Sequence, residues 1–261
     1  MTHRSRILTF TAAVALLVLP RPARAQDFQW HGAIPQGRTI EIKGVNGDVR
    51  AEPSGSNEVE VMAVKRGHRD SPDSVRIDVV PHAGGVTVCA VYPSRDFQKP
   101  NECLPGDAGR MNVQNNDVSV RFTVRVPAGV ALVGKTVNGE IEAMRLNGDV
   151  ALSTVNGSVS FSTTGGGRAS TVNGSIRGEM GRADWSNTLN MATVNGSITL
   201  TLPPDLNTDV KASTVNGDIS SDFPMMVTGR ISRRKVEGTI GGGGRLLSLD
   251  SVNGSITLKR D

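Results

Sequence analysis

The stretch Val194-Asn195-Gly196-Ser197-Ile198 decides how this chain folds, because its pattern recurs eight times in 261 residues. Each copy places Asn-Gly between an aliphatic residue and Ser, Asp or Glu, and ends on Val or Ile. Eight copies in one chain predict a repeat architecture in which similar units stack on one another. The repeat asparagines are Asn46, Asn138, Asn147, Asn156, Asn173, Asn195, Asn216 and Asn253, and the repeat glycines are Gly47, Gly139, Gly148, Gly157, Gly174, Gly196, Gly217 and Gly254.

Two local structures are compatible with Asn-Gly between apolar residues. The pair is the usual signal for a two-residue hairpin turn. Hairpins at successive copies would leave short strands in which Val150 and Val155, five positions apart, face opposite sides of the sheet. A continuous strand avoids this conflict, because it puts Val194 and Ile198 together on the inner face and Asn195 on the outer face. The continuous strand is therefore the preferred interpretation.

The distances between copies indicate how such strands are connected. Gly139, Gly148 and Gly157 are nine residues apart, and later copies follow at 16 to 22 residues, counting 236–240 as a copy without asparagine. Nine residues are too few to close a coil, whereas two units supply enough. The sequence predicts an all-β fold, a single-stranded parallel β-helix or β-solenoid, with an antiparallel β-sandwich as the alternative. The outward asparagines would then stack as a hydrogen-bonded ladder, and the inward glycines would let backbones approach closely.

The remaining sequence divides the chain into three parts. Residues 1–25 have the features of a signal peptide, residues 26–135 form a strand-rich N-terminal part, and residues 136–261 carry the solenoid repeats. Alternating apolar residues in 118–126 predict a strand of the same sheet system. The N-terminal part is therefore expected to be continuous with the solenoid and to cap one end of it. Charges in 259–261 are expected to protect a last strand at the other end.

The first 25 residues indicate export. Arg4 and Arg6 precede an apolar run of 13 residues, which is short for a membrane span of about 20. A small-x-small site ends at Ala25, as at signal-peptide cleavage sites. Cleavage after Ala25 would place the mature protein in the periplasm, on the cell surface or outside the cell, and an uncleaved membrane anchor is the alternative. The sequence after Ala25 contains no second apolar stretch of that length, so no membrane span is expected in the mature chain.

Composition favours a β protein and excludes a nucleic-acid partner. Glycine is frequent, at 30 residues, and aromatic residues make up only 3% of the chain. The formal net charge of +4 comes from 29 basic and 25 acidic residues, but four of the basic residues are arginines of the predicted signal peptide. The mature chain is therefore balanced at 25 and 25, with no excess of positive charge for a phosphate backbone.

Cys89 and Cys103 are the only cysteines in the sequence. An even number of cysteines in an exported chain predicts a disulfide. Loop-closure entropy gives such a bond, 14 positions apart, a stabilisation of about 3 kcal/mol. Pro93 and Pro100 lie between the two, so the bond is expected to hold down a loop. Two free thiols are the alternative.

These features together resemble a known family. The Val-Asn-Gly-Ser-Ile repeats, the export signal and the strand-like stretch 118–130 are similar to the "putative adhesin" β-strand-repeat family of exported bacterial proteins, a domain of unknown function. The resemblance covers about residues 40–261. It implies a right-handed, β-helix-like fold and a location in the cell envelope, and it supplies no catalytic residues.

No pattern in the sequence predicts a metal or a cofactor. The histidines of the mature chain do not have ligand spacing, and the run 241–244 of four glycines lacks the Lys-Ser/Thr ending of a phosphate loop, so it is interpreted as a flexible corner. Three scattered aromatic residues are interpreted as packing residues rather than sugar platforms. The histidines are His31, His68 and His82, and the aromatic residues are Trp30, Tyr92 and Trp185.

Catalytic patterns are also missing from the sequence. It contains no Gly-x-Ser-x-Gly motif, and no histidine lies in the repeats. Carboxylates follow the repeat glycine at Asp48, Glu140, Asp149 and Asp218, and stacking of coils would allow Glu140 and Asp149 to approach as a glycosidase pair does. Because Ser fills this slot in the other four copies, the slot is interpreted as one used for solvation or turn bonding.

The sequence thus predicts a protein without enzymatic activity, exported and with a repetitive surface for adhesin-like or scaffold-like binding in the cell envelope. Its expected partner is an envelope glycan or an envelope protein. A polysaccharide-active enzyme on a β-helix is one alternative, because such folds host lyases and glycosidases. An envelope sensor or regulatory partner protein is the other.

Overall fold

The computed structural model describes residues 28–96, 98–185, 188–227 and 232–261. The predicted signal peptide and the cleavage site after Ala25 lie outside these residues. Within them the chain is all-β, as predicted, and the only helix is a single 3₁₀ turn, Pro72–Ser74.

The described residues form ten strands in the N-terminal part and thirteen in the repeats. The strands of the N-terminal part are β1 (Phe28–Ala33), β2 (Thr39–Lys43), β3 (Val49–Pro53), β4 (Glu58–Arg66), β5 (Arg76–His82), β6 (Gly85–Val91), β7 (Glu102–Cys103), β8 (Gly109–Arg110), β9 (Ser119–Val126) and β10 (Ala131–Lys135). The strands of the repeats are β11 (Ile141–Leu146), β12 (Val150–Ser153), β13 (Val159–Thr163), β14 (Gly167–Asn173), β15 (Ile176–Met180), β16 (Leu189–Asn195), β17 (Ile198–Leu202), β18 (Thr208–Asn216), β19 (Ile219–Ser221), β20 (Met226–Val227), β21 (Lys235–Ile240), β22 (Leu246–Asn253) and β23 (Ile256–Arg260).

Two large sheets enclose the core. Sheet 1 has the order β1-β4-β9-β3-β11-β13-β15-β17-β23-β19, and sheet 2 has the order β20-β21-β18-β22-β16-β14-β12-β10-β2-β6-β5. Seven coils each give one strand to sheet 2 and the next strand to sheet 1, and equivalent strands of neighbouring coils pair in parallel, in register. The coils are β2–β3, β10–β11, β12–β13, β14–β15, β16–β17, β22–β23 and β18–β19.

The parallel stack is limited to these coils and one further layer, β6 and β9. At one end, β5 pairs with β6, and β4 and β1 extend the sheet from β9, all antiparallel. At the other end, β21 pairs antiparallel with β18. The sheets are therefore mixed, and the prediction of a wholly parallel β-helix is wrong at both ends. Antiparallel strands there cover backbone groups that a bare terminal coil would expose.

Coil order in space departs from chain order at both ends. The first coil, β2–β3, lies between β6 and β9 on one side and β10–β11 on the other. The last coil, β22–β23, lies between β16–β17 and β18–β19. Residues 259–261 therefore belong to an interior strand, and the prediction that their charges protect an exposed end is wrong. The strand at that end of sheet 1 is the three-residue β19.

One hydrophobic cluster runs through the whole stack, from Ile34 to Leu258. Most repeat strands alternate inward apolar and outward polar side chains, as in β17, where Ile198, Leu200 and Leu202 are fully buried. Burial of an Ile or Leu side chain stabilises a fold by roughly 1.5 to 3 kcal/mol. The N-terminal part and the repeats thus share one core, and the stack places every repeat copy in line with its neighbours.

Candidate functional site

The Val-Asn-Gly motif is a corner between the two sheets. In one copy, β16 of sheet 2 ends at Asn195 and β17 of sheet 1 begins at Ile198. Before the corner Thr193 points inward, and both Val194 and Asn195 then point outward. The predicted continuous strand, with Val194 inside, is therefore wrong: two successive outward residues break the alternation where the chain turns from one sheet to the other.

The glycine of each corner is required by a close approach of backbones. A Cβ added at Gly174 would lie 2.0 Å from the carbonyl oxygen of Gly157 in the neighbouring coil, and one at Gly196 would lie 1.9 Å from that of Gly174. Such distances are far inside van der Waals contact, so only glycine allows the corners to stack.

A buried hydroxyl precedes six of the seven ladder corners and ties neighbouring coils together. Thr171 Oγ1 donates to the Gly157 carbonyl at 2.8 Å, and Thr193 Oγ1 donates to the Gly174 carbonyl at 2.8 Å. Equivalent bonds come from Thr136, Thr154, Thr214 and Ser251. The role of this position was not predicted from the sequence. A pattern that indicates it is present, because Thr or Ser stands two residues before the asparagine in six copies.

The corner asparagines form one continuous ladder. In each step the Nδ2 of one asparagine donates to the Oδ1 of the next at 2.7–2.8 Å. The order in space is Asn46, Asn138, Asn156, Asn173, Asn195, Asn253 and Asn216. Every inner asparagine uses one N–H and one oxygen lone pair in the ladder, which leaves one of each for other partners.

Two predicted copies do not belong to this corner. Asn147 lies at the return corner between β11 and β12, where its Oδ1 accepts from Thr164 Oγ1 at 3.0 Å. Gly148 is nevertheless required there, since a Cβ would lie 2.4 Å from the Val130 carbonyl oxygen. The copy without asparagine, 236–240, is part of β21, which pairs antiparallel with β18. Asn147 is nine residues from the copies on either side, which is half a coil, so it lies at the opposite corner. The copy at 236–240 lacks the asparagine that the ladder requires.

The residue after the repeat glycine forms a hydrogen bond with the next coil. Ser158 and Ser175 accept the backbone N–H of the equivalent residue in the neighbouring coil at 3.2 Å, and Asp48 Oδ1 accepts that of Glu140 at 3.1 Å. Asp149 lies at the return corner and accepts from Gly166 N at 2.6 Å. Glu140 therefore stacks on Asp48, and the arrangement of Glu140 with Asp149 considered from the sequence does not occur.

The outward valines form an exposed apolar row beside the asparagine ladder. Six of them keep 38 to 56% of their surface accessible, although the molecule buries most of its other aliphatic residues. With parallel strands about 4.8 Å apart, seven coils give a row about 29 Å long. We call the two rows together the ridge: Val45, Val137, Val155, Val172, Val194, Val252 and Val215, with the seven asparagines of the ladder.

A cleft of about 700 Å³ opens at the N-terminal end of the ridge. One wall consists of ridge residues, including Val45 and Val137, and the other consists of the segment 106–117, including Met111 and Val113. The cleft carries apolar, amide and charged groups together, since Asn46, Asn138, Lys43 and Arg69 also line it.

The segment that walls the cleft is tied to sheet 2. Cys89 of β6 and Cys103 of β7 form a disulfide. Lys43 Nζ donates to the Ala108 carbonyl at 3.1 Å, and Lys135 Nζ donates to the Gly106 carbonyl at 3.1 Å. The carboxylate of Glu41, only 4% exposed, accepts from Gly106 N at 2.9 Å. The segment is thus held by a covalent bond, two lysines and a buried acid.

The two lysines differ in their electrostatic surroundings. Burial lowers the pKa of Lys43, and the nearby charge of Glu41 only partly offsets this. Burial also disfavours the charged form of Lys135, but hydrogen bonds to Asp107 and Glu41 outweigh burial and raise the pKa of Lys135. Lys135 Nζ lies 3.2 Å from Glu41 Oε1 and 2.9 Å from Asp107 Oδ1. Lys135 is therefore the firmer anchor of the segment.

Tyr92 ends the ladder at the N-terminal side. Its hydroxyl donates to the Val118 carbonyl at 2.7 Å, and its ring is buried. Burial raises the pKa of Tyr92 to about 12, while hydrogen bonds from the backbone and side chain of Asn46 oppose this shift. Trp185 is also buried and Trp30 is partly buried against the core. These three aromatic residues pack and do not form an open platform.

The histidines lie apart from one another and from the ridge. His31 pairs with Glu58 at 3.4 Å, and His82 Nε2 lies 3.2 Å from Thr87 Oγ1. Within the described ranges no group of three or more His, Cys, Asp or Glu residues is arranged for a metal ion. The run 241–244 is a corner after β21, in which Gly242 N donates to Asn207 Oδ1 at 2.6 Å.

A family profile matches residues 110–259, more than half of the chain. The profile is that of the Toastrack family DUF4097, a domain of unknown function. The chain belongs to this family. The matched range contains six of the seven coils of the stack, so family membership and the repeated corner describe the same part of the molecule.

Solved structures of low similarity have also been found. A "putative cell adhesion protein" from Clostridium sporogenes is 11% identical, with 90% of this chain and 99% of that chain covered and a TM-score of 0.45. A "putative adhesin" from Bacteroides fragilis is 12% identical, with 90% and 96% covered and a TM-score of 0.24. No curated protein matches the chain significantly. Among the described residues, no helix has the length and apolar character to cross a membrane.

Proposed function

We propose that this protein is a non-enzymatic, exported binding protein of the cell envelope, adhesin-like or scaffold-like, and that it contacts its partner through the ridge. The observation that carries the proposal is the row of exposed valines in register beside the asparagine ladder. Contiguous apolar surface of this kind is typical of interaction sites when polar groups border it. The spare N–H and lone pair of each asparagine add directional contacts beside each valine.

The carboxylates near the ridge support binding over catalysis. Asp48 accepts a backbone N–H and lies 3.5 Å from Arg121, while Glu142 pairs with Arg50 at 2.6 Å. A glycosidase needs one carboxyl group held protonated beside another that is ionised. Here the carboxylates are occupied by contacts between neighbouring strands, so this cluster is suited to holding coils together.

Ridge variants test the proposal directly. The double variant Val155→Lys, Val194→Lys places two charges on the ridge, and the matched control Ser160→Lys, Thr199→Lys places them on the outer face of sheet 1. We expect both proteins to melt within a few degrees of the parent, because all four side chains lie on the outside. Only the ridge variant should lose binding on a glycan array or in a pull-down from isolated envelopes. Equal loss in both variants, or retention in both, would contradict a role for the ridge.

The same measurements distinguish the two classes of partner. A glycan partner gives ridge-dependent signals on the array, whereas an envelope protein gives a ridge-dependent band in the pull-down and no signal on the array. Export is tested separately by N-terminal sequencing of the protein recovered from the cell envelope, which should begin at Gln26. A chain recovered in the cytoplasm with residues 1–25 attached would contradict the proposed location.

A further inference from the structure

The N-terminal end of the stack has an unprotected sheet edge. Among the residues that the structure describes, β1 is the outermost strand of sheet 1 and pairs with β4 alone, over six residues from Phe28 to Ala33. Its sequence, Phe-Gln-Trp-His-Gly-Ala, contains no proline and no Lys, Arg, Asp or Glu. Proteins usually protect edge strands with charges, prolines, bulges or short length, because unpaired backbone groups bind further strands. Apart from His31, which pairs with Glu58 at 3.4 Å, β1 has none of these protections.

Two other edges of the stack are protected. β5, the edge of sheet 2 at the same end, carries Pro81 and the ion pair between Arg76 and Asp78. β19, the edge of sheet 1 at the opposite end, has three residues. The absence of protection at β1 is therefore a local property of this edge and not a general feature of the fold.

The hydrophobic core is also incompletely covered at this end. Phe28 and Trp30 of β1 and Ile77 and Val79 of β5 pack against the core but remain partly accessible. They are the last inward residues of the two sheets at this end of the stack. An additional layer placed on β1 would cover them.

We infer that a second copy of this chain forms that layer, with β1 of one copy pairing antiparallel to β1 of the other about a two-fold axis. Such an interface is isologous, so the same residues serve on both sides. Side chains directly opposite in an antiparallel pair lie on the same face, so the inward residue Trp30 must face an inward residue of the other copy. Of the registers that satisfy this condition, two pair five of the six residues of β1: Trp30 faces either Trp30 or Gly32 of the second copy.

A second copy suits this end better than the protein's own N-terminus. The cleavage proposed after Ala25 would leave Gln26 and Asp27 before β1, too few to form another strand, and on this point the inference rests on the proposed export. A second copy placed on β1 would bring its own two sheet edges and its own half-covered apolar residues against those of the first copy. The inference is independent of the ridge, which lies along the side of the stack.

The size of the interface sets its expected strength. A six-residue strand is about 20 Å long, and two sheets about 10 Å apart with their outer side chains are about 20 Å deep. The end of the stack therefore covers about 400 Å² per copy, half of what a standard stable interface buries on each side. We expect a dimer that dissociates on dilution through the micromolar range.

Sedimentation equilibrium and cross-linking of the full processed chain test the inference. Gln29 and His31 point outward from β1, so Gln29→Cys and His31→Cys should fold normally. With Trp30 facing Gly32, His31 faces His31, and the His31→Cys protein alone forms an intermolecular disulfide on oxidation. With Trp30 facing Trp30, His31 faces Gln29, and only a mixture of the two variants does so. Opposite residues in a sheet lie within disulfide range.

Ser220→Cys on β19 is the matched control, an outward residue on the protected edge, and we expect no cross-link from it. A parent chain that sediments as a monomer up to several hundred micromolar overturns the inference. A dimer in which neither β1 combination cross-links, or in which Ser220→Cys cross-links equally well, also overturns it. A monomer that retains residues 1–25 would show that the chain's own N-terminus covers β1.

Discussion

In the middle of the stack, the coils β10–β11, β12–β13, β14–β15 and β16–β17 lie side by side in chain order, whereas at each end the chain skips one position and later fills it. The middle coils are held by the same three contacts each time: a buried hydroxyl, a ladder asparagine and a glycine without a side chain. The ends depend on antiparallel strands, and one end also has a disulfide. The same contacts thus stabilise every middle coil, whereas each end is stabilised by contacts that occur only there.

This difference has a consequence for where stability resides. A middle coil has a neighbour on each side, so its side chains cannot move away from a substitution. The coil β18–β19 has a parallel neighbour only in β22–β23. No further Asn-Gly corner stacks on the far side of its corner among the described residues, where the contacts are backbone hydrogen bonds from Thr214 N to the Arg234 carbonyl and from Ile219 N to the Arg233 carbonyl. Equivalent substitutions in the middle and at this end should therefore differ in cost, and four pairs of variants measure that difference.

The largest effect is expected from a charge in the core. Ile198→Asp in the middle buries a carboxylate at a position with no accessible surface, at a cost of several kcal/mol, a large part of a typical stability of 5–15 kcal/mol. The equivalent Ile219→Asp in β19 should cost clearly less, because Ile219 is partly exposed. Urea unfolding of both proteins provides the measurement. Equal losses would show that the end is as constrained as the middle.

The second comparison concerns the corner glycines. A Cβ at Gly174 would lie 2.0 Å from the Gly157 carbonyl oxygen, and one at Gly217 would lie 2.2 Å from that of Gly254. Both overlaps are severe, but the end coil can shift outward and the middle coil cannot. We expect Gly174→Ala to cost about 3 kcal/mol or more, and Gly217→Ala about half as much.

Gly55→Ala is the control for this pair. It lies in a loop where a Cβ would meet nothing within 4 Å, so the substitution should be neutral or stabilise slightly by restricting the unfolded chain. Thermal melts of the three variants are sufficient. A loss at Gly55 comparable to that at Gly174 would mean that backbone freedom, and not the contact between coils, explains the glycines.

The sequence predicts the fold class of this protein better than it predicts where individual side chains point. The all-β class and the family follow from the repeat, because eight copies of one motif leave few architectures. The position of Val194 does not follow, since alternation is reliable only within a strand and the motif turns out to be a corner. In a continuous strand Thr193 would share the outer face with Asn195, whereas it is buried, although the Thr or Ser that recurs at this position in six copies indicated a shared role.

The order of the coils was not predictable from the repeat. Every copy is compatible with every other as a neighbour, so the sequence of Val252 to Ile256 does not reveal that β22–β23 enters between two earlier coils. The exposed valines were missed because a valine next to asparagine in a predicted strand is expected to be buried. Recognising the ridge requires both the position of the corner and the stacking order of the coils.

A smaller effect is expected from the buried hydroxyls. Thr171→Val keeps the shape of the side chain but removes the donor to the Gly157 carbonyl, which then has one partner fewer in a buried place. Such losses cost about 1 to 3 kcal/mol. Thr214→Val removes the equivalent bond to the Gly254 carbonyl, and Thr214 is also buried. Because no further coil lies beyond the end coil among the described residues, that coil can adjust to the change, and a cost of about 1 kcal/mol or less is expected. Urea unfolding that ranks Thr214→Val as the more damaging variant would contradict the proposed difference.

The smallest effect is expected in the asparagine ladder, because its bonds lie at the surface. Asn173 makes two ladder bonds of 2.8 Å, to Asn156 and from Asn195, whereas Asn216 makes one, to Asn253. With about 0.5 to 1 kcal/mol for each exposed bond, Asn173→Ala should cost about twice as much as Asn216→Ala. Precise thermal melts at several urea concentrations can resolve this ratio. If the ladder bonds strengthen one another along the row, the cost at Asn173 will exceed twice that at Asn216. A cost at Asn173 equal to that at Asn216 would show that the ladder contributes nothing beyond a single local contact, and that glycine and threonine alone hold the corners in register.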